Sequence, residues 1–305
     1  MTQNQEQIPQ HDNTYVIDAE SAAEMARLML QDRRITEAMS GAIPDTISSI
    51  HTLLDLACGP GGWVLEIAQQ YPQVKIVGID ISQRMIDYAR AQAEVRGLRN
   101  VTFRVMDVTQ HPLDFASDIF DLVNARFLFG FMNPSTWPKL VAECFRITRP
   151  GGVIRLTEAE APIATSMASE RLYGFFLQAF QRDGRALLPP GSRNFATTAF
   201  LRKYLRDVGC IDIQQRPYVL DYSAETDAHD VWCQNLEISL QLMAPFFLRE
   251  EAMSREEFEK LYQQLQQDHR SDDFSALFFF LSSWGKKPDA SNSLTKSSKQ
   301  GRRKP

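Results

Sequence analysis

At 305 residues with 44% hydrophobic content, the chain is long enough to bury a sizeable core, as one large α/β domain with appended helices or as two small domains. Residues 286–305 hold seven Lys/Arg against one Asp, so a total charge of −5 leaves −11 on the rest, an acidic body that argues against nucleic acid as partner. No apolar run approaches the roughly 20 residues that span a bilayer, and residues 1–13 show no basic segment leading into an apolar one, so neither membrane nor export is expected.

Residues 18–39 predict a first helix from the spacing of Ala22, Met25 and Leu28 or Met29, with Ser21 and Glu24 as a capping box and Gly41 and Pro44 as stops. A strand over 52–57, a glycine-rich turn, a helix over 63–70 and a β-branched strand over 74–79 then form a β-turn-α-β unit. The alternation continues with a helix over 82–96, strands over 101–106 and 120–124, a helix over 136–147, the turn Arg149-Pro150-Gly151-Gly152 and a strand over 153–157. Such alternation with short connections predicts a doubly wound, mostly parallel α/β sheet. Beyond it come helices over 167–181 and 198–208, an extended stretch over 211–222, helices over 228–243 and 254–267, and the apolar run 277–281, read as a buried last strand. This divides the chain into an N-terminal helical cap (1–50), a Rossmann-like core (51–160), lid helices with the remaining strands (161–285) and a basic tail read as disordered (286–305).

The turn Asp55-Leu56-Ala57-Cys58-Gly59-Pro60-Gly61-Gly62 puts glycines where the chain bends sharply and a ligand must approach the backbone. Val64 occupies the position of the third glycine of G-x-G-x-x-G, which disfavours a pyrophosphate reader. Asp55, at the strand's end, suits a cationic amino-acid group and would repel phosphate. Asp80, 21 residues after Gly59, ends the next strand, where a carboxylate can accept two hydrogen bonds from a ribose, and Asp107 ends the third, within reach of an adenine amino group. Together they point to a phosphate-free nucleoside carrying an amino acid, S-adenosylmethionine (SAM).

The run from Leu53 to Gly62 resembles the first motif of class I SAM-dependent methyltransferases, and Asp80, Asp107-Val108 and Arg149-Pro150-Gly151-Gly152 match later landmarks in order and spacing. The resemblance covers about residues 50–160 and is closest to the branch that methylates quinones and other small metabolites. It implies a seven-stranded sheet whose last strand is antiparallel and inserted beside the fifth. It also implies Gly59 and Gly61 against the methionine part of SAM, Asp80 with Ile81 on the ribose, and Asp107 with the Val108 amide on adenine. Ala57 stands where the family commonly has glycine, which narrows the turn.

Ligands of open α/β sheets bind at the carboxyl ends of the strands, so Asn124 is placed beside the cofactor and Arg126, Phe127 and Tyr173 beside a methyl acceptor. Arg126 can steer an anionic acceptor or pair with a structural carboxylate, and Glu158 can act as general base or merely hold a loop. Tyr15 sits where it can reach the SAM carboxylate or pack. The stripe Tyr173, Phe175, Phe176 and Phe180, with Leu240, Leu242, Met243, Phe246 and Phe247, favours a lipophilic small molecule over a peptide or RNA. Cys58, Cys144, Cys210 and Cys233 form no C-x-x-C pair, which suits a reducing cytoplasm. His11, His51, His111, His229 and His269 lack metal-ligand spacing and most of them read as surface residues, so no metal is expected. The sequence reads as a monomeric or homodimeric enzyme methylating O, N or C of a small acceptor. A macromolecule methyltransferase and a non-catalytic SAM-binding protein are the alternatives.

Overall fold

The computed structural model describes residues 15–39, 43, 50–192 and 194–289. In chain order the elements are α1 (Ala22–Ala38), β1 (Thr52–Leu56), α2 (Gly62–Gln70), β2 (Lys75–Asp80), α3 (Gln83–Val95), β3 (Val101–Val105) and β4 (Phe120–Arg126). A single 3-10 turn (Leu128–Gly130) leads to α4 (Thr136–Ile147), β5 (Thr148–Ala159), β6 (Ile163–Ala164), α5 (Met167–Arg182) and α6 (Thr197–Asp207). The chain ends with β7 (Ile211–Asp221), α7 (His229–Arg249), α8 (Arg255–His269) and β8 (Ala276–Lys286).

The sheet runs β3-β2-β1-β4-β5-β8 with β7 on the far side of β8. The first five strands are parallel, and β8 is antiparallel to both neighbours, so the expected inserted last strand is present beside the fifth. The two-residue β6, not expected, continues the edge of β5 along β8 through Ile163 and Leu277. Run 277–281 belongs to this last strand but is not buried throughout: Leu277 is exposed while Phe280 is buried, because only one side of that end of the sheet is covered.

Two cores sandwich the sheet. Leu54, Leu56, Val123, Ile154 and Leu156 meet Leu140, Cys144, Leu201 and Leu205 of α4 and α6, whereas Leu53, Ile76, Leu122 and Val153 meet Trp63, Ile67, Ile86 and Ala89 of α2 and α3. A third apolar body joins α5, α7 and α8 above the sheet. Helix α7 passes the expected end near 243 and runs through Pro245, because Phe246 and Phe247 are buried there and their burial offsets the lost backbone bond.

In α1 the capping serine behaves as expected, accepting the Glu24 amide at 3.3 Å, but the helix buries Glu24, Arg27, Ile35 and Thr36 rather than Ala22 or Met29. The Glu24 carboxylate therefore does not return to the N-cap, being committed to Arg27 and Tyr15. Gly41, Pro44 and residues 290–305 lie outside the described residues, yet the basic stretch begins inside the fold. Lys286 ends β8, and the Lys287 ammonium donates to the carbonyls of Phe145 (2.7 Å) and Thr148 (2.9 Å) and pairs with Asp118.

Candidate active site

A cavity of about 240 Å³ opens at the carboxyl ends of β1, β2 and β4 and is roofed by α1, α5 and α7. One half is built by the glycine-rich turn and the first strand ends. Ala57, Gly59 and Gly61 all take left-handed backbone angles (φ 52, 54 and 79°), which turns the chain from β1 into α2. Around that turn Asp55, Ala57, Gly59, Asp80, Ile81, Asp107 and Val108 line the cavity. Gly61 does not: a Cβ there would stand 2.9 Å from Phe103 and 3.0 Å from Ala89, so this glycine serves the packing of α2 on α3 and β3 rather than a ligand.

Asp80 accepts the Gly59 amide at 2.8 Å and the Ser82 amide at 2.9 Å, and burial raises its pKa against the pull of these bonds. Its carboxylate thus ties the turn to β2 while bordering the cavity. Asp107 accepts the amide and hydroxyl of Thr109 through Oδ1 alone. Burial pushes the Asp55 carboxyl up to about 6, opposed by nearby Arg126 and by the amide of Asn124, which donates to it at 2.7 Å. Asn124 itself is fully buried and does not reach the cavity; adjacent strand register places it between Asp55 and Arg155, where it orients Asp55.

Arg126 lines the cavity, but its charge is not free to steer an anion. It donates to Asp32 of α1 at 2.5 Å and lies over the Trp63 ring at 5.1 Å, leaving Nη1 buried without a partner. Glu158 is 1% exposed and does not line the cavity at all. Its Oε1 accepts the Leu128 amide at 2.7 Å, holding the 3-10 turn, and burial pushes its carboxyl up to about 8. The expected general base is thus a buried structural acid. Glu160 does border the cavity, with both oxygens engaged by the amides of Ala196 and Thr198 and the Thr198 hydroxyl.

The other half of the cavity is aromatic: Phe127, Phe129, Tyr173, Phe176, Phe195, Trp232 and Phe278, with Leu236 and Met243. Tyr173 and Phe176 therefore face a ligand space, whereas Phe180 belongs to the core of the lid. Between the halves runs a polar bridge that sequence reasoning missed. Tyr15, which lines the cavity, donates its hydroxyl to Glu24 at 2.9 Å; Arg27 holds both Glu24 oxygens and donates to Gln31 at 2.6 Å and to Asn235 of α7 at 3.0 Å. The signal for it was the i, i+3, i+7 spacing of Glu24, Arg27 and Gln31 on one helix face.

His269 is buried and His229 half-buried. His269 is buried against Glu237 at 2.7 Å, and both His229 nitrogens face the carbonyls of Tyr222 and His269, so they fasten α7 to α8. Among the described residues no His/Cys/Asp/Glu group is arranged to hold a metal, and no helix is long and apolar enough to cross a membrane.

Fold and cavity define an α/β domain with a cavity at its strand ends, lined by Asp55, Asp80 and Asp107. Residues 53–152 match the family model of a methyltransferase domain. The chain is similar to a demethylmenaquinone methyltransferase of Geobacillus stearothermophilus, 28% identical over 182 residues that span 56% of this chain and 75% of that one. It is also similar to the demethylmenaquinone methyltransferase of Thermus thermophilus, at 33% over 126 residues, 41% of this chain and 54% of that protein. Among solved structures, the phosphoethanolamine N-methyltransferase 2 of Haemonchus contortus, bound to phosphomonomethylethanolamine and S-adenosylhomocysteine, shares the fold with TM-score 0.51 and 17% identity over 88% of this chain and 58% of that one. The chain carries a class I SAM-dependent methyltransferase domain and is a SAM-dependent methyltransferase.

Proposed function

We propose that the enzyme methylates a small, neutral, lipophilic ring compound of the quinol type. The observation that carries this reading is the aromatic half of the cavity, with the cations at its border already paired, Arg27 to Glu24 and Arg126 to Asp32. An anionic acceptor would find no unpaired cation there, and an unpaired buried charge is strongly disfavoured. Enclosure under three helices likewise favours a small molecule over a polypeptide or RNA segment. The named relatives act on demethylmenaquinone, which fits this chamber chemically.

In this reading Asp80 receives the ribose hydroxyls and Asp107, with the Val108 amide, receives the adenine. Asp55 meets the ammonium of the methionine part. The residues present thus fit a nucleoside that carries an ammonium group. SAM supplies an electrophilic methyl group: its carbon–sulfur bond breaks as the bond to acceptor carbon or oxygen forms, and the acceptor releases a proton. The protein's share is alignment and exclusion of water by α1, α5 and α7. Glu158 is turned away and Glu160 is engaged in holding the backbone of Ala196 and Thr198, so the proton leaves to solvent, as an acidic phenolic acceptor permits. The four free cysteines fit a reducing, cytoplasmic setting.

The test is incubation with methyl-labelled SAM and reduced demethylmenaquinone of short side chain, with product detected by mass spectrometry. Labelled ring product is expected. Absence of label in this compound and in every small molecule of a metabolite extract, with SAM still bound, would sink the reading in favour of a non-catalytic SAM-binding protein.

A further inference from the structure

Helix α7 aims Trp232, Asn235, Leu236, Ser239 and Met243 at the cavity, a stripe of i, i+3, i+4, i+7 and i+11. Trp232 is 1% exposed, one of the largest fully buried side chains, and its ring lies 5.1 Å from Phe278. Its indole Nε1 has no hydrogen-bond partner. Phe would fill this apolar place and make the same ring contact without burying a donor, and buried indole N–H groups ordinarily find an acceptor.

Several buried polar atoms of the described residues lack partners, but only two belong to side chains that line the cavity: Arg126 Nη1 and Trp232 Nε1. The first lies beside Asp32 and Asp55, at the glycine-rich turn. The second belongs to a ring that borders the aromatic half, where the neighbouring α7 amide, Asn235, already accepts from Arg27. We infer that Trp232 is a specificity-determining residue that donates its indole N–H to a carbonyl or phenolic oxygen of the methyl acceptor, fixing the ring's orientation in the chamber.

The inference rests on the lipophilic-acceptor reading. A lone donor calls for a lone-pair atom, so a purely hydrocarbon ligand leaves it unsatisfied and an ammonium opposes it. With Arg27 already paired to Glu24, the complementary atom is a neutral oxygen. Selectivity of this type is large because the wrong ligand strands a buried polar group.

The test compares two ring compounds of the same shape, 1-tetralone with its carbonyl and tetralin without one, binding to the protein saturated with S-adenosylhomocysteine. Wild type is expected to bind the tetralone about tenfold more tightly, and Trp232→Phe to bind the two within about twofold while keeping its cofactor affinity. A variant that retains the tenfold preference overturns the assignment to Trp232 and leaves the apolar-chamber reading standing. If neither ring binds the wild type, the lipophilic-acceptor reading falls and the inference with it. A second measurement needs no variant: the chain has four tryptophans, of which Trp232 alone lines the cavity among the described residues. In a ¹⁵N-labelled wild type, one indole N–H resonance is expected to move downfield with tetralone and not with tetralin. Four unmoved indole resonances at saturating tetralone would overturn the proposal.

Discussion

Replacing Glu158 by Gln separates a structural acid from a catalytic base. The Glu158 carboxyl titrates near 8 in the fold against 4.5 in a free chain, because burial outweighs the hydrogen bonds to the Leu128 and Phe129 amides. Between those pH values the native state retains a proton that the unfolded chain has released. Stability therefore falls as pH rises from about 4.5 to about 8 and is level on either side. At about 1.4 kcal/mol per pH unit, this one group costs on the order of 3 kcal/mol at pH 7 relative to pH 4. Gln keeps the acceptor for Leu128 and is neutral in both states, so it carries no such slope. Urea unfolding followed by tryptophan fluorescence at pH 4, 5.5, 7 and 8 should show the two proteins alike at the acid end. The variant should be more stable by about 3 kcal/mol at pH 7, with turnover near wild type because residue 158 does not line the cavity. Parallel stability curves would refute the buried-acid argument, and a hundredfold loss of turnover with intact SAM affinity would restore the role of base.

Three further outcomes follow from the cofactor half. Asp80→Ala strands the amides of Gly59 and Ser82 as well as the ribose, so it should destabilise the fold by about 2–4 kcal/mol and weaken SAM at least tenfold; unfolding curves and calorimetry on the folded variant check both. Asp55, with a carboxyl near 6, should lose its attraction for the cofactor's ammonium on acidification, so SAM affinity should fall by up to about tenfold between pH 6 and 5. A dissociation constant flat over that range, or an equal fall in Asp55→Asn, would exclude this. Ala57→Gly relieves a left-handed alanine and should raise stability by up to about 1 kcal/mol, net of glycine's greater chain entropy. A loss of stability on urea unfolding would show that the turn is not strained.

The cofactor half was legible in the chain because its parts are local. Asp55, Asp80 and Asp107 each end a strand read from its own hydrophobic pattern, and a parallel sheet aligns such ends on one edge whatever lies elsewhere. The left-handed turn at Gly59 is likewise a property of a few consecutive residues. Even here tertiary packing decided detail: Gly61 answers to Phe103 and Ala89, and Asn124 supports Asp55 from beneath rather than touching ligand.

The aromatic half was legible only in part: Phe127, Tyr173, Phe176 and Met243 were expected near a small lipophilic ligand and do line the cavity, but its charge pairing was not, because the wall is assembled from elements far apart in sequence. Arg27 meets Asn235 across 208 residues and Arg126 meets Asp32 across 94, and no local pattern reports which buried charges will find one another. Glu158 and Glu160 stand two residues apart near the end of β5, yet one is sealed beneath the Leu128 turn and the other borders the cavity. The sequence by itself determined the methyl donor, since a nucleoside site made of strand ends follows from periodicity and a few carboxylates. Only the tertiary structure decided which charges are spent on one another, and hence that the cations bordering the aromatic half of the cavity are paired.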